Sequence, residues 1–387
     1  MDCHKWRSLN QTLRRTNQDV RLYLDSIRSL ENRARECYEG KISLSSDEFV
    51  QCMLLDGFFI LELFRGFVGD FGSLGYSACD PVFAMRGSMH IIQRDMIMLE
   101  NQIPLFVLDR ILALQLNIPE NQRGDLLIPL ILGFFDPLMP TGGPYLKSQS
   151  NANTSFDPLS QDGLHCLDVF HRSLLRKESQ LQAPKIWRKH WSQTKHVVDR
   201  RRQQLVSCVT DLQEAGVRFR KHQTDRFWDI KFENGVLYIP RLMIHDGTKS
   251  LFLNLMAFEQ CQLDMSNNIT SYVIFMDNII NSGEDVRHLH YRGIIEHWLG
   301  NDQEVADLFN NLCQEVVFDI NDSYLSGLSA QVNSHYYFRW NIWKATLRHR
   351  YFNNPWAIIS FIAAVVLLLL TGVQTFYGVF GFYKPPN

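Results

Sequence analysis

Residues Ser45–Phe64 read SSDEFVQCMLLDGFFILELF. Ser45 with Glu48 three residues later is a capping-box pair: the serine oxygen takes the N3 amide and the glutamate returns to the N-cap amide, so a helix starts here. From Phe49 to Phe64 apolar side chains occupy nearly every face. A helix without a polar stripe must be surrounded by its own domain. This segment is therefore expected at the centre of the fold.

Upstream, Lys5 to Cys37 carries Leu9, Leu13, Val20, Leu24, Ile27, Leu30 and Ala34 at spacings near three, four and seven, which predicts an amphipathic helix. Downstream, Gly66, Gly69, Gly72 and Gly75 recur every third residue. The run is too short for collagen and lacks the G-x-G-x-x-G order, so it reads as a flexible connection. Met89 to Leu114 is a second apolar helical stretch that Pro104 must kink or restart. Residues 136–162, rich in Pro, Gly, Ser and Asn, read as a long loop and a variable surface. Gly163 to Arg176 and Thr194 to Ala215 read as helices, the second stopped by Gly216 at C′.

In WDIKFENGVLYIP (Trp228 to Pro240), Asn234-Gly235 is a type I′ hairpin signal, because that turn needs positive φ twice. The two-residue loop pairs Glu233 with Val236, Phe232 with Leu237 and Ile230 with Ile239. Leu251 to Phe258, Tyr272 to Ile280, Val286 to Trp298 and Val305 to Cys313 return to helical spacing, with Asn301 and Glu304 capping the last.

At the C-terminus, Tyr351 to Tyr383 contains no Asp, Glu, Lys, Arg or His. Trp356 to Phe376, with Phe361, Leu367 and Leu370 inside it, is long enough at 1.5 Å per residue to cross about 30 Å of hydrocarbon. Trp340, Trp343, Tyr351, Phe352 and Trp356 precede the stretch and Tyr377, Phe380 and Tyr383 close it, as aromatic belts do. A buried core helix is the bland alternative, but such helices rarely run so long without a charge. Arg339, Lys344, Arg348 and Arg350 lie before it against Lys384 after it, which predicts the N-terminal bulk on the cytosolic side of a single-pass C-terminal anchor. The N-terminus, MDCHKWRSLNQ, has no apolar signal-peptide core. The expected architecture is mainly α: a large helical domain over 1–350 with a small β-hairpin, a transmembrane helix over 351–383, and a short tail over 384–387. The lipid bilayer is thus one expected partner, at the plasma membrane or an endomembrane, and a protein the other.

Of 387 residues, 39 are Lys or Arg and 41 Asp or Glu, so the net charge is 39 − 41 = −2. Hydrophobic residues at 45% and charged residues at 21% are globular values, excluding a disordered chain. A mean hydropathy of −0.16 excludes a multi-span transporter. Near-neutral charge gives no pull toward nucleic acid. The eight cysteines are scattered with no CxxC pair and read as reduced thiols. Asn10, Asn153, Asn268 and Asn321 open N-x-S/T sequons, which act only in the secretory lumen.

The chain holds no P-loop, H-E-x-x-H, G-x-S-x-G or kinase signature. His288, His290 and His297 lie near Glu284 and Asp285. A helix would put 290 and 297 on one face but not 288, so no ligand set is complete and no metal or other cofactor is expected. Asp56, Glu62, Asp95 and Glu100 sit in apolar surroundings. Either they form a general acid and base pair with separated pKa values, or a buried polar network fixing how helices meet, and the second is the default. The run Lys185, Arg188, Lys189, His190, Lys195, His196, Arg200, Arg201 and Arg202, with Trp187 and Trp191, reads as a solvated helix face, with anionic lipid or an acidic partner as the alternative.

The strings ECYEG (Glu36 to Gly40), LDGFFILELF (Leu55 to Phe64), RDMIMLENQIPLFVL (Arg94 to Leu108), LQEAGVRF (Leu212 to Phe219), LYIPRLMI (Leu237 to Ile244), LNLMAFEQ (Leu253 to Gln260), SYVIFMDNII (Ser271 to Ile280), EDVRHL (Glu284 to Leu289) and NPWAIIS (Asn354 to Ser360) resemble the plant family called domain of unknown function 247. They run in order over nearly the whole chain. ECYEGKI and HKWRSLN are similar to monocot members. The positions carrying the resemblance as scaffold residues are Asp56, Gly57, Glu62, Asp95, Glu100, Asn101, Gln102, Pro104, Pro240, Glu259, Asp277, Asp285, Pro355 and Trp356. The resemblance implies a plant protein with one C-terminal span and offers no catalytic residues to carry over. Some grass members are implicated in pollen self-incompatibility as recognition determinants. The shared strings mark scaffold, so they do not extend that role to this chain. The expected function is a membrane-anchored, non-catalytic interaction or recognition protein, with an enzyme using the four acids as the alternative.

Overall fold

The computed structural model describes residues 2–118, 126–141, 164–175, 206–224, 226–262, 265–314, 316, 323–338 and 355–383. The central helix, α4, spans Ser46–Val68 behind α1 (Asp2–Thr16), α2 (Val20–Arg28) and α3 (Glu31–Arg35). Its capping box is formed as the sequence predicts: Ser45 accepts from the Glu48 amide, and the Ser45 amide donates to Glu48 at 2.9 Å. Val50, Phe58, Leu61, Leu63 and Phe64 are fully buried. At about 1.5–3 kcal/mol for each large apolar side chain removed from water, this one helix supplies much of the driving force. Helices α1, α2 and α3 pack on it, as do α6 (Leu105–Gln115) and α7 (Leu127–Phe135).

The glycine run is not simply a flexible connection. Gly66 lies inside α4, where a Cβ would fall 2.1 Å from Phe71 Cδ1, so the Phe71 ring packs directly on the helix backbone. Gly75 closes the following turn at φ +89°. Lys5 to Cys37 is likewise not one helix. Asn17 at φ 53° ends α1, and Asp19 restarts the chain as the N-cap of α2, accepting from the Arg21 amide at 2.9 Å. Met89 to Leu114 breaks as Pro104 requires, into α5 (Arg86–Met96), a 3-10 turn (Leu99–Asn101) and α6.

The 136–162 loop begins with a 3-10 turn at Asp136–Leu138, and Pro140 O accepts from the Met243 amide at 2.7 Å. Residues 142–163 lie outside the described residues, as does the basic run from Lys185 to Arg202. Between them stands α8 (Cys166–Leu174). Helix α9 (Val209–Glu214) stops at Gly216, φ +91°, with the paired closing bonds Gly216 N to Gln213 O and Val217 N to Leu212 O.

The hairpin forms with the predicted turn, Asn234 at φ 51° and Gly235 at φ 72°. Strand β2 (Lys231–Glu233) pairs antiparallel with β3 (Val236–Pro240), placing Phe232 opposite Leu237 and Glu233 opposite Val236. Ile230 lies before β2, outside the ladder, but is buried. Periodicity missed three strands. Strand β1 (Arg218–His222) joins β3 in parallel, giving the order β1-β3-β2, and β4 (Leu242–Ile244) pairs in parallel with β5 (Ile295–His297). Three-residue strands and an edge strand of cations show no alternation long enough to read.

After β4 come α10 (Thr248–Cys261), α11 (Asn268–Ile279) and α12 (Gly283–Tyr291). The helix read as far as Trp298 ends at Tyr291. Gly293 takes φ +65° and Ile294 N returns to Leu289 O, turning the chain into β5. Helices α13 (Asp302–Leu312) and α14 (Ser326–Tyr337) follow. A single hydrophobic cluster runs from Leu9 through α4, α8 and α10 to Val332.

Helix α15 spans Pro355–Tyr383. Its Ile359–Phe376 window has a mean hydropathy of 2.2 and is 0% buried within the chain, so it is long and apolar enough to cross a membrane. Thr371 and Thr375 donate their hydroxyls to Leu367 O and Thr371 O, leaving those polar groups satisfied inside the helix.

Replacing Gly66 with Ala is expected to lower stability by about 1–3 kcal/mol through overpacking against Phe71. Gly87→Ala in α5, with nothing within 4 Å of the added Cβ, is expected to be neutral or slightly stabilising. Urea unfolding midpoints of the two variants measure the difference.

Candidate functional site

The acids singled out by sequence occupy separate places. Glu62, fully buried on α4, receives two guanidinium nitrogens of Arg15 and the Tyr76 hydroxyl at 3.0 Å, while the Tyr76 oxygen accepts from the Ser8 hydroxyl. Asp56, half-buried two turns earlier, pairs with Lys5. Their separation of six positions is about 9 Å of helix rise, so both acids staple α1 to α4 at different levels. Asp95 is half-exposed beside Arg94, and Glu100 is exposed. Of the four carboxylates, two are thus paired to α1 and two lie toward solvent.

Within ENQIP the divisions are sharper. Glu100 and Asn101 face solvent, with Asn101 Nδ2 donating to Asp95 O. Gln102 turns inward. Its amide nitrogen donates to Met96 O and Met98 O, both at 2.8 Å, its side-chain oxygen accepts from the Leu167 amide at 3.1 Å, and its backbone oxygen accepts from the Tyr38 hydroxyl. Burial pushes that phenol up to about 12. Pro104 bridges to His165, and Leu105 N donates to Leu164 O. These bonds join α5, α6 and the start of α8. Gly57 lets α4 approach α6, since a Cβ there would lie 2.4 Å from Ile111 Cδ1.

A second set of buried acids organises the C-terminal half. Glu259 accepts from the Ile269 and Thr270 amides, both at 2.8 Å, from the Thr270 hydroxyl at 2.6 Å, and meets His171 Nε2 at 3.0 Å. One carboxylate thus caps α11 and ties α10 to α8. Asp285 accepts from Thr210 N and Oγ1, from Ser282 N and Oγ, and from Asn281 N, joining α9 to α12. Burial acts to raise its pKa, but these donors win and hold it below the carboxylate range. Asp277 behaves oppositely: burial lifts it, against a hydrogen bond with Cys313. Buried Pro240 ends β3 opposite His222. Pro355 opens α15, and Trp356 beside it is exposed.

The histidines do meet, though not on one helix. His290 on α12 and His297 on β5 have ring centroids 5.6 Å apart, and His297 Nε2 lies 3.0 Å from Asp302. His288 lies 3.9 Å from Glu284 instead. Among the described residues no three His, Cys, Asp or Glu side chains gather as metal ligands would. All eight cysteines are free thiols. Burial raises Cys166 to about 12 and Cys208 to about 11, and it raises Cys313 as well, so these are not poised thiolates. The Asn268 sequon is closed by the fold, because Asn268 is buried and Thr270 is bonded to Glu259. Asn10 is exposed on α1, while Asn153 and Asn321 lie outside the described residues.

Sequence reading missed the partners: Arg15 and Tyr76 for Glu62, His171 for Glu259, Thr210 for Asp285. It also missed Asp80, which holds Arg7 and the Val82 and Phe83 amides, and Asp168, which holds Arg172 and the Leu164 amide. The Arg15, His171 and Thr210 partners lie 47 to 88 residues from their acids, beyond any local spacing rule.

Two outcomes test the network. Gln102→Ala, which strands three buried groups, is expected to cost about 3 kcal/mol, whereas Glu100→Ala two residues away stays within about 0.5 kcal/mol, both read by urea unfolding. Asp80 and Asp285 have folded pKa values below their unfolded ones, so their stabilisation is complete above the unfolded carboxylate range and fades as pH falls through the depressed values. The fall in unfolding free energy between pH 7 and pH 3 is therefore expected to be smaller in Asp285→Asn than in the parent.

The DUF247 family model, described as plant protein of unknown function, matches residues 1–370. Over 386 residues the chain is 29% identical to UPF0481 protein At3g47200 of Arabidopsis thaliana, covering 96% of this chain and 77% of that relative. Over 427 residues it is 25% identical to putative UPF0481 protein At3g02645 of the same plant, covering 92% and 79%. No solved structure matches the chain. The family match runs unbroken from the α1–α4 staples through ENQIP and the Glu259 and Asp285 caps into α15, and the chain belongs to the DUF247 family of plant proteins of unknown function.

Proposed function

We propose that the protein is a membrane-anchored, non-catalytic interaction module. Residues 1–350 form the body, and 351–383 cross the bilayer with the body on the cytosolic side. The observation that carries this reading is α15, whose apolar window is uncharged and wholly unburied by the rest of the chain. Exposing that much hydrocarbon to water is unfavourable by about 25 cal/mol per Å², so a bilayer is its natural solvent. Its satisfied threonine hydroxyls suit the same medium. The basic residues on the N-terminal flank support the cytosolic orientation.

The non-catalytic part rests on the fate of the acids. Glu62, Glu259 and Asp285 spend their lone pairs on Arg15, Tyr76, His171 and backbone amides, which leaves none of them free to exchange a proton with a substrate. In this reading the segment 136–162 carries partner choice, held at its start by the Pro140 to Met243 bond. A recognition role of the kind implicated in grass pollen self-incompatibility is one form such a module could take.

Protease treatment of microsomes carrying protein tagged at both ends tests the topology. The N-terminal tag is expected to be digested and the C-terminal tag protected without detergent. A protected N-terminal tag, or extraction of the protein by alkaline carbonate, would overturn the reading.

A further inference from the structure

The outer face of the β1-β3-β2 sheet carries cations in register. Arg220 stands opposite Tyr238 on one side, and Lys231 stands opposite the same tyrosine on the other. Residues in register across a sheet share a face, so Arg220, Tyr238 and Lys231 form a row about 10 Å wide. Arg218 lies on the same face two residues away, while Phe219 between them is buried on the other. Lys221, one residue beyond Arg220, is exposed but falls on the opposite side of the strand, in register with Ile239. Lys231 shares its charge with Asp229 at 3.6 Å, and Glu233 is an acid on this face. Arg218 and Arg220 have no acidic partner among the described residues. A chain of net charge −2 thus keeps two arginines without a described acidic partner on one face of a single edge strand.

Helix α14, the last described element before α15, packs at the hairpin end of this sheet, with His335 against Phe232. A Cβ on Gly235 would lie 3.0 Å from His335 of α14, and Arg218 N donates to Gly235 O at 2.9 Å. Two residues beyond His335 the helix ends on Tyr337 and Phe338, which are 66% and 59% exposed. From Phe338 to Pro355, the start of α15, is 355 − 338 = 17 residues, at most about 60 Å of extended chain. A body tethered so closely to a bilayer meets its headgroups at high effective concentration.

We infer that this sheet face, with Arg218 and Arg220 as its cations, Lys231 and Tyr238 in the same row, and the exposed Tyr337 and Phe338 near the hairpin end of the sheet, docks on the membrane that α15 enters, with anionic lipid headgroups as its partner. The inference rests on the anchoring proposed above. Guanidinium forks take phosphate oxygens two at a time, and aromatic rings favour the headgroup level. Each cation near an anionic leaflet raises occupancy about fivefold, an effect that salt removes.

The test uses the full chain reconstituted into phosphatidylcholine vesicles with or without about one third phosphatidylserine, read by amide hydrogen exchange. On the anionic vesicles residues 218–222 and 336–338 are expected to exchange about fivefold or more slowly than on the neutral ones, and 0.5 M salt is expected to remove the difference. R218E/R220E is expected to abolish the slowing, and the milder R218Q/R220Q to weaken it, with exchange in α4 unchanged as the check on folding. Equal exchange on both vesicle types, or slowing that survives charge reversal, overturns the inference. So does slowing on neutral vesicles produced by inorganic phosphate or by a soluble acidic polypeptide, which would mark a different ligand. Failure of the chain to float with carbonate-washed vesicles defeats the anchoring itself, whereas floating without slowing defeats only the docking.

Discussion

A helix with no polar face cannot lie on a surface, and α4 is such a helix. Its side chains at Phe58, Phe59, Ile60, Leu61 and Leu63 point around the full circle and all are buried. Five other helices are needed to cover them, which is why α1, α2, α3, α6 and α7 surround it despite being spread over more than 130 residues. The glycines on α4 set how close that cover comes. Gly57 admits Ile111 and Gly66 admits the Phe71 ring. The remainder of the fold grows from this centre, with α8 carrying the same hydrophobic cluster across to α10 and the sheets.

Burying so much apolar surface leaves the relative orientation of the helices underdetermined, because the hydrophobic effect has no direction. Buried carboxylates supply the direction. Glu62 accepts only an arginine and a phenol arriving from particular angles, and Glu259 and Asp285 each accept several donors from two or three elements at once. Such groups are costly unless fully satisfied, so a misaligned packing that broke one would be penalised by several kcal/mol. Of the four acids read in sequence as a possible acid and base pair, Glu62 and Asp56 hold α1 to α4, while Asp95 is half-exposed and Glu100 exposed.

Legibility in the sequence followed the range of the interaction. The Ser45 capping box, the Gly216 stop, the Asn234-Gly235 turn and the Asn301 cap are all decided within five residues, and each appears where the spacing predicts it. Lys5 to Cys37 kept a helical period through the break between α1 and α2, because Asn17 and Asp19 interrupt the backbone without disturbing which residues are apolar. The histidines show the limit of period reasoning. His290 and His297 do come together, but through a turn at Gly293 and a strand, and a helical face seven residues long had no part in it. The parallel strands β1, β4 and β5 were invisible for a related reason: their pairing partners lie 18 and 53 residues away, and their own stretches are too short to alternate.

By itself the sequence determined that the fold is mainly helical, that one helix must be enclosed, that the chain belongs with the plant family whose strings it shares, and that its last apolar helix is long enough to cross a bilayer. Each of these depends on composition or on neighbours within a few turns. Tertiary structure alone decided that Glu62 meets Arg15 and Tyr76, that Gln102 rather than Glu100 reaches Leu167 and Tyr38, and that the strand carrying Arg218 and Arg220 pairs with β3. Those are contacts between residues distant in the chain, and only the packed body brings them within hydrogen-bond length.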